Sequence, residues 1–264
     1  MRWLLALLVP ILASAASPVA AQAIVYEEIV EEEVMLADTP VEGVAEPTAE
    51  LGGYRFVDVA PAAMPRGVAA FGPFRVIDAR HAALVDVTDE RSPGAFAAML
   101  DAYPGIAVLE MVDCPGTEDD RANLRLGHMI RGSGIATHVP AGGSVRSGAV
   151  ELFLAGARRA ADPQAEFAVH AWMDTDGLEP ADYAANSPEN RAYTDYYQAM
   201  GMTAAEAQAF YAMTNSVPNA QARWLSAADM GKWVPLDAPE SDRRETIAGA
   251  PYLAASLDLA PHLN

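Results

Sequence analysis

Ser147 and His170 are the residues whose types and surroundings best suit covalent chemistry. Ser147 follows the glycine-rich stretch Ala141-Gly142-Gly143-Ser144 and heads an apolar segment running to about Ala157. A helix beginning there would expose the hydroxyl where unpaired backbone N–H groups gather. His170 closes the short apolar run Phe167-Ala168-Val169. A serine becomes nucleophilic when a neighbouring base takes its proton, and neutral imidazole is the usual base. Spacing is not geometry, so a plainer reading stands beside this one: a serine at a helix start is commonly a cap, and a histidine ending a strand is commonly structural. Ser144 is the competing hydroxyl, expected in the same turn as a cap or loop hydroxyl. Arg146 between them could bind a carboxylate.

The elements that must position these groups alternate. Phe74–Ile77, Ile106–Val112, Ile135–Val139 and Phe167–His170 are β-branched or apolar runs that read as strands. Between them, Ser92–Tyr103 reads as a helix with Pro93 in its first turn, and Leu124, Gly127, Met129 and Ile130 give a second helix a buried side ended by Gly132 and Gly134. Ser147–Ala157 is expected to be the third. Strand and helix in this order predict an α/β fold with a largely parallel sheet built of right-handed crossovers and buried on both faces. Ligands in such sheets sit at the carboxyl ends of the strands, where the turn Asp113–Thr117, the turn Gly142–Gly148 and His170 all fall. Farther on, Glu189–Met200 and Thr203–Thr214 read as helices rich in Tyr, Met and Ala, and Ser226–Lys232 as a last short one. Their Tyr193, Tyr196, Tyr197, Phe210 and Tyr211 suit a core, with a peptide groove as the alternative.

Read together, Phe74 to Val234 resembles the proteolytic subunit of Clp protease and its exported bacterial relatives. Asp113-Cys114-Pro115-Gly116-Thr117 is similar to that family's Asn-Ser-Pro-Gly-Gly loop, Ser147-Gly148-Ala149 with Leu152 to Gly156 to its nucleophile helix, and Val169-His170 to its histidine strand. Arg223-Trp224-Leu225-Ser226-Ala227 is similar to its Arg-Phe-Leu-Ser-Ala helix start. The resemblance implies the ClpP/crotonase fold, Ser147 as nucleophile, His170 as base, and the backbone N–H groups of Gly148 and of Gly116 or Thr117 as an oxyanion hole. It implies no metal and no organic cofactor. Two departures matter. The second glycine of the oxyanion loop is Thr117, which could restrict the backbone. The triad acid is missing, because Ala222 stands where it is expected; Asn219, Gln221, Asp174 and Asp176 are the nearby substitutes, none at the matching position. Residues 174–190 also lack the family's strand and handle helix, so a monomer or small oligomer is expected instead of a double-ring barrel.

Composition bounds the function from outside. Met1-Arg2, the apolar run Trp3–Ala16 broken by Pro10, and Ala21-Gln22-Ala23 have the layout of a secretory signal peptide over residues 1–23, placing the mature chain in the periplasm or outside the cell. No other stretch is apolar enough to span a bilayer, so no membrane span is expected once the signal is removed. Residues 24–53, with Glu27, Glu28, Glu31, Glu32 and Glu33, read as an acidic flexible linker; residues 54–236 as one domain; residues 237–264 as a tail. The 36 acidic against 17 basic residues, net −19, repel phosphate backbones and exclude nucleic acid as a partner. Cys114 is alone, and His81, His128, His138 and His262 show no metal-ligand spacing. Peptide or protein is therefore the expected substrate, with two rivals: a non-catalytic scaffold that has lost its triad, and a crotonase-like acyl-coenzyme A enzyme, which export disfavours.

Overall fold

The computed structural model describes residues 56–238; the segments expected to be a signal peptide and a linker, Tyr54 and all of the tail beyond Ala238 lie outside the described residues. Parallel strands and helices alternate as the pattern requires, and the strands are divided between two sheets. The larger has the order β1 (Ala69–Phe71), β2 (Phe74–Val76), β3 (His81–Leu84), β4 (Val108–Met111), β6 (Ala136–Val139), β8 (Arg159–Ala161). The smaller runs β10 (Arg223–Ser226), β9 (Glu166–Val169), β7 (Ser144–Arg146), β5 (Asp113–Cys114). In three successive passes the chain lays a strand in the large sheet and then one in the small sheet: β4 then β5, β6 then β7, β8 then β9. Each set pairs in parallel, with Leu109 beside Thr137 in one sheet and Cys114 beside Val145 beside Phe167 in the other. The first hairpin, β1–β2–β3, and the last strand, β10, are antiparallel.

Helices α1 (Ser92–Ala102), α2 (Asp120–Gly132) and α3 (Ala149–Leu154) pack in sequence, α2 touching both neighbours. Phe74, Phe96, Leu109, Leu126, Phe153 and Phe167 are fully buried, and each side chain of this size contributes about 1.5–3 kcal/mol on leaving water. Asp119 caps α2 by accepting from the Ala122 N–H at 2.8 Å. Ser187 and Thr203 cap α4 (Pro188–Ala199) and α5 (Ala204–Thr214), and Ser226 caps α6 (Ala227–Met230). A cap of this kind is typically worth about 1 kcal/mol. Ser92 is the first helical residue of α1 and bonds Asp89 instead of capping.

Four expectations are corrected. The Gly-rich turn ends at Gly143, and Ser144 begins strand β7. The third helix starts at Ala149, two residues after Ser147. Arg223–Ser226 pairs with β9 as a strand, because its alternation lets Leu225 face the core, and the helix waits until Ala227. Burial on both faces holds for β9, whereas β4 and β6 bury only alternate residues. Residues 174–187 contain one turn of 3₁₀ helix, Pro180–Asp182, and no strand.

The half-exposed face explains Glu110, the one charged residue in an apolar run. Glu110 Oε2 lies 2.5 Å from His138 Nδ1, whose Nε2 lies 3.2 Å from Asp162 Oδ1. Burial opposes charge on this imidazole, but the Glu110 and Asp162 carboxylates outweigh it and hold His138 above its ordinary value of 6.5. A raised folded-state value supplies stability that is complete below pH 6.5 and fades as pH climbs through the raised value. The urea midpoint of the wild type is therefore expected to fall over that window, and the fall to vanish in His138→Gln.

Gly156 ends α3 where nothing larger fits. A β-carbon there would stand 2.2 Å from Thr137 Oγ1 and 2.6 Å from the Arg158 carbonyl. Gly156→Ala is expected to destabilise the fold by about 1–3 kcal/mol, read as a lower denaturant midpoint.

Candidate active site

Two turns meet at the carboxyl ends of the small sheet. After β7 the chain bends sharply, and Ser147, with φ 50°, is the one non-glycine residue at positive φ among the described residues. Its N–H donates to the Ala168 carbonyl of β9 at 2.8 Å, which pins the bend to the neighbouring strand. Its carbonyl accepts from Val150 N–H at 2.9 Å as the chain enters α3. The turn after β5 lies against it: a β-carbon on Gly116 would stand 2.9 Å from Ser147 Cβ and 3.3 Å from Ser147 Oγ. Gly148 in turn packs on Thr117, whose Cγ2 would be 2.5 Å from a β-carbon on Gly148.

Gly116 has φ 140°, a region glycine alone enters freely, and Thr117 stays at negative φ. The threonine in place of a second glycine thus falls where no glycine is required. Among the described residues, the N–H groups of Gly116, Thr117 and Gly148 are not spent on any protein acceptor. Both turns are held from behind. Thr88 donates its N–H to the Gly116 carbonyl at 3.0 Å and its hydroxyl to Asn123 Oδ1 at 3.0 Å, while Asn123 Nδ2 donates to the Gly148 carbonyl at 2.6 Å. Thr88 and Asn123 are buried positioning residues that no spacing in the sequence marks.

His170 follows β9 and lines the same cavity as Ser147, Gly148 and Thr117, a space of about 210 Å³. Its Nδ1 is 2.8 Å from the Ala171 carbonyl. A carbonyl can only accept, so this contact puts the proton on Nδ1 and leaves Nε2 with a free lone pair. Asn219 Nδ2 donates to the same carbonyl at 3.0 Å and lies 3.2 Å from Nδ1. Of the four substitutes for the missing acid, Asn219 alone reaches the imidazole. Asp174 is engaged by Tyr183, Asp176 and Leu178. Extending the β9–β10 register, in which Val169 faces Arg223, by one residue sets Ala222 opposite His170.

Ser144 is removed from contention by β7: it is fully buried, and its Oγ accepts from Arg146 Nη1 at 2.7 Å. Arg146 is itself buried and pairs with Asp113 at 3.0 Å. Cys114 is also buried, donating toward the Leu84 carbonyl, and burial pushes its thiol well above the ordinary value.

The rest of the cavity is acidic and aromatic. Glu151, one helical turn after Ser147, is only 6% exposed, and burial pushes its carboxyl up to about 7 against the Tyr197 hydroxyl, which donates to Oε1 at 2.7 Å. Asp120 lies at the mouth, where desolvation of its inner side raises its carboxyl against a hydrogen bond from Tyr193. Trp172 stacks on Tyr193 at 6.1 Å with planes 6° apart and donates Nε1–H to the Tyr211 hydroxyl at 2.7 Å. The aromatic helical pair divides: Tyr196 and Phe210 are core, while Tyr193 and Tyr197 also line the cavity. Among the described residues no helix is long and apolar enough to cross a membrane, and no group of three or more His, Cys, Asp or Glu side chains is placed to hold a metal.

No protein-family model matches the sequence, and no curated relative does. Among solved structures, the chain is similar to a point mutant of ClpP1 from Listeria monocytogenes at 13% identity and TM-score 0.44, covering 61% of this chain and 91% of that one. It is similar to a mutant of the 1510-N membrane-bound stomatin-specific protease in complex with a substrate peptide, at 14% and 0.37, covering 58% and 73%. An enoyl-CoA hydratase from Shewanella pealeana matches at 14% and 0.42, covering 67% and 73%. With identities of 13–14% and TM-scores below 0.5, these likenesses assign the chain to no family. The architecture itself is α/β, two sheets threaded alternately by successive parallel strands.

Proposed function

We propose that this chain is an exported serine hydrolase of peptidase type. Ser147 Oγ attacks the substrate carbonyl, His170 Nε2 takes the hydroxyl proton and returns it to the leaving amine, and water then releases the acyl group from Ser147. The N–H groups of Gly148 and of Gly116 or Thr117 receive the developing oxyanion. The observation that carries this reading is the φ of 50° at Ser147, set beside the Gly116 turn and in one cavity with His170. A serine held in the left-handed region costs on the order of 1–3 kcal/mol and persists only where the surroundings over-determine it, which is characteristic of functional turns. Export rests on the N-terminal sequence pattern, and placement in the periplasm or outside the cell follows from it.

A second reading, a scaffold that keeps the fold without turnover, is favoured by one observation: a neutral carbonyl, in place of a carboxylate, accepts from His170 Nδ1, and Asn219 acts only by donating to that same carbonyl. Fluorophosphonate labelling of the purified protein separates the two. Stoichiometric modification that maps to Ser147 and disappears in Ser147→Ala is expected of the hydrolase. Modification that persists in Ser147→Ala removes Ser147 as the nucleophile, and a wild type that is never modified supports the scaffold.

A further inference from the structure

The residues that line the Ser147 cavity include three carboxylates, Glu118, Asp120 and Glu151, and neither a lysine nor an arginine. A buried carboxylate without a cation is costly, and Glu151 has the Tyr197 hydroxyl on its Oε1 and its own backbone N–H, both neutral donors, to offset its burial. An acceptor with no partner lies in the same wall. Asn215 Oδ1 is buried and has no donor among the described residues, its Nδ2 being committed to the Tyr211 carbonyl at 2.7 Å. Beside these acceptors stand the stacked rings of Trp172 and Tyr193, whose faces attract cations.

From the buried Glu151, the orphaned Asn215 carbonyl and the aromatic wall together, we infer that this cavity takes a cationic side chain, lysyl or arginyl, of the peptide presented to Ser147. The inference deepens the hydrolase reading and rests on it. An ammonium or guanidinium brings several N–H donors and no acceptor, which is what unmet oxygens in a cavity lined by carboxylates need. An apolar side chain would cover the Glu151 carboxylate, whose partners are the Tyr197 hydroxyl and its own backbone N–H, without supplying the counter-charge it lacks. The entering cation also restores the ionised form of Glu151, which burial alone leaves near half-protonated at neutral pH.

The test uses diphenyl phosphonate probes carrying an aminobutyl or an isobutyl side chain, run beside a fluorophosphonate with no side chain. In each, the Ser147 oxygen bonds to phosphorus, phenoxide or fluoride departs, and the hydroxyl proton passes to His170. The aminobutyl probe is expected to react at least about tenfold faster than the isobutyl probe, and this ratio, taken within one protein, to fall about tenfold in Glu151→Gln and to fall also in Asp120→Asn. A ratio at or below one in the wild type overturns the inference, as does a ratio unchanged in both variants, even where the fluorophosphonate labels Ser147 normally. If the fluorophosphonate itself does not react, the hydrolase reading has failed, and equilibrium binding of agmatine by calorimetry decides the cavity. Binding weakened in Glu151→Gln sustains the cationic site, and no binding overturns it.

Discussion

With His170 replaced by alanine, phosphonylation of Ser147 is expected to slow by about three to four orders of magnitude, with the fold unchanged by circular dichroism. The size follows from what a triad member supplies in the worked serine-protease cases. It also follows from this cavity: His170 Nε2 is freed as a base by the bond that Nδ1 makes to the Ala171 carbonyl. Glu151 is the buried competitor, because burial brings its carboxyl to about 7 and it lines the same space. The comparison with Glu151→Gln therefore decides between them. A loss below about tenfold in His170→Ala, matched by a far larger loss in Glu151→Gln with the side-chain-free fluorophosphonate, would transfer the role of base to the carboxylate.

The second large effect is a gain. Ala222→Asp is expected to raise the labelling rate of Ser147 by about ten- to a hundredfold. Residues directly opposite on antiparallel strands carry β-carbons about 4.5–5.5 Å apart, and the β9–β10 ladder ends with Val169 beside Arg223, each one residue from His170 and Ala222 respectively. A carboxylate at that distance would stabilise the imidazolium formed as Ser147 gives up its proton, which the Ala171 carbonyl does only as a neutral dipole. Asn219 holds that carbonyl from the other side, so Asn219→Ala combined with Ala222→Asp should keep most of the gain. A rate unchanged in Ala222→Asp would mean that orientation of His170 does not limit the reaction, and would favour the scaffold reading if the wild type is also inert.

Much of the frame is legible without coordinates because it is written in local patterns. The apolar runs at Phe74, Val108, Ala136 and Phe167 are strands within a residue or two of where β-branched and apolar composition puts them, and α1, α4 and α5 begin where proline or a capping serine or threonine stands. Strands such as β1, β7, β8 and β10 are three or four residues long, and runs that short take their conformation from the strands beside them more than from their own composition. Ser144–Arg146 shows the effect: its glycine-rich approach reads as a turn, yet parallel pairing with β5 and β9 makes it a strand and forces the bend onto Ser147.

By itself the sequence determined the alternation of strands and helices, the glycine at position 116 and the candidate pair of serine and histidine, since each depends on residue type and near neighbours. Tertiary structure alone decided that Ser147 sits strained outside its helix, that the Ala171 carbonyl, held by Asn219, stands in place of a carboxylate at His170, that Thr88 and Asn123 brace the two turns, and that Glu110, His138 and Asp162 converge on an open sheet face. Apart from Ala171, which adjoins His170, the bonded partners lie 24 to 48 positions apart along the chain. Which of them meet is fixed by sheet register and helix docking, and no local pattern in the sequence encodes that.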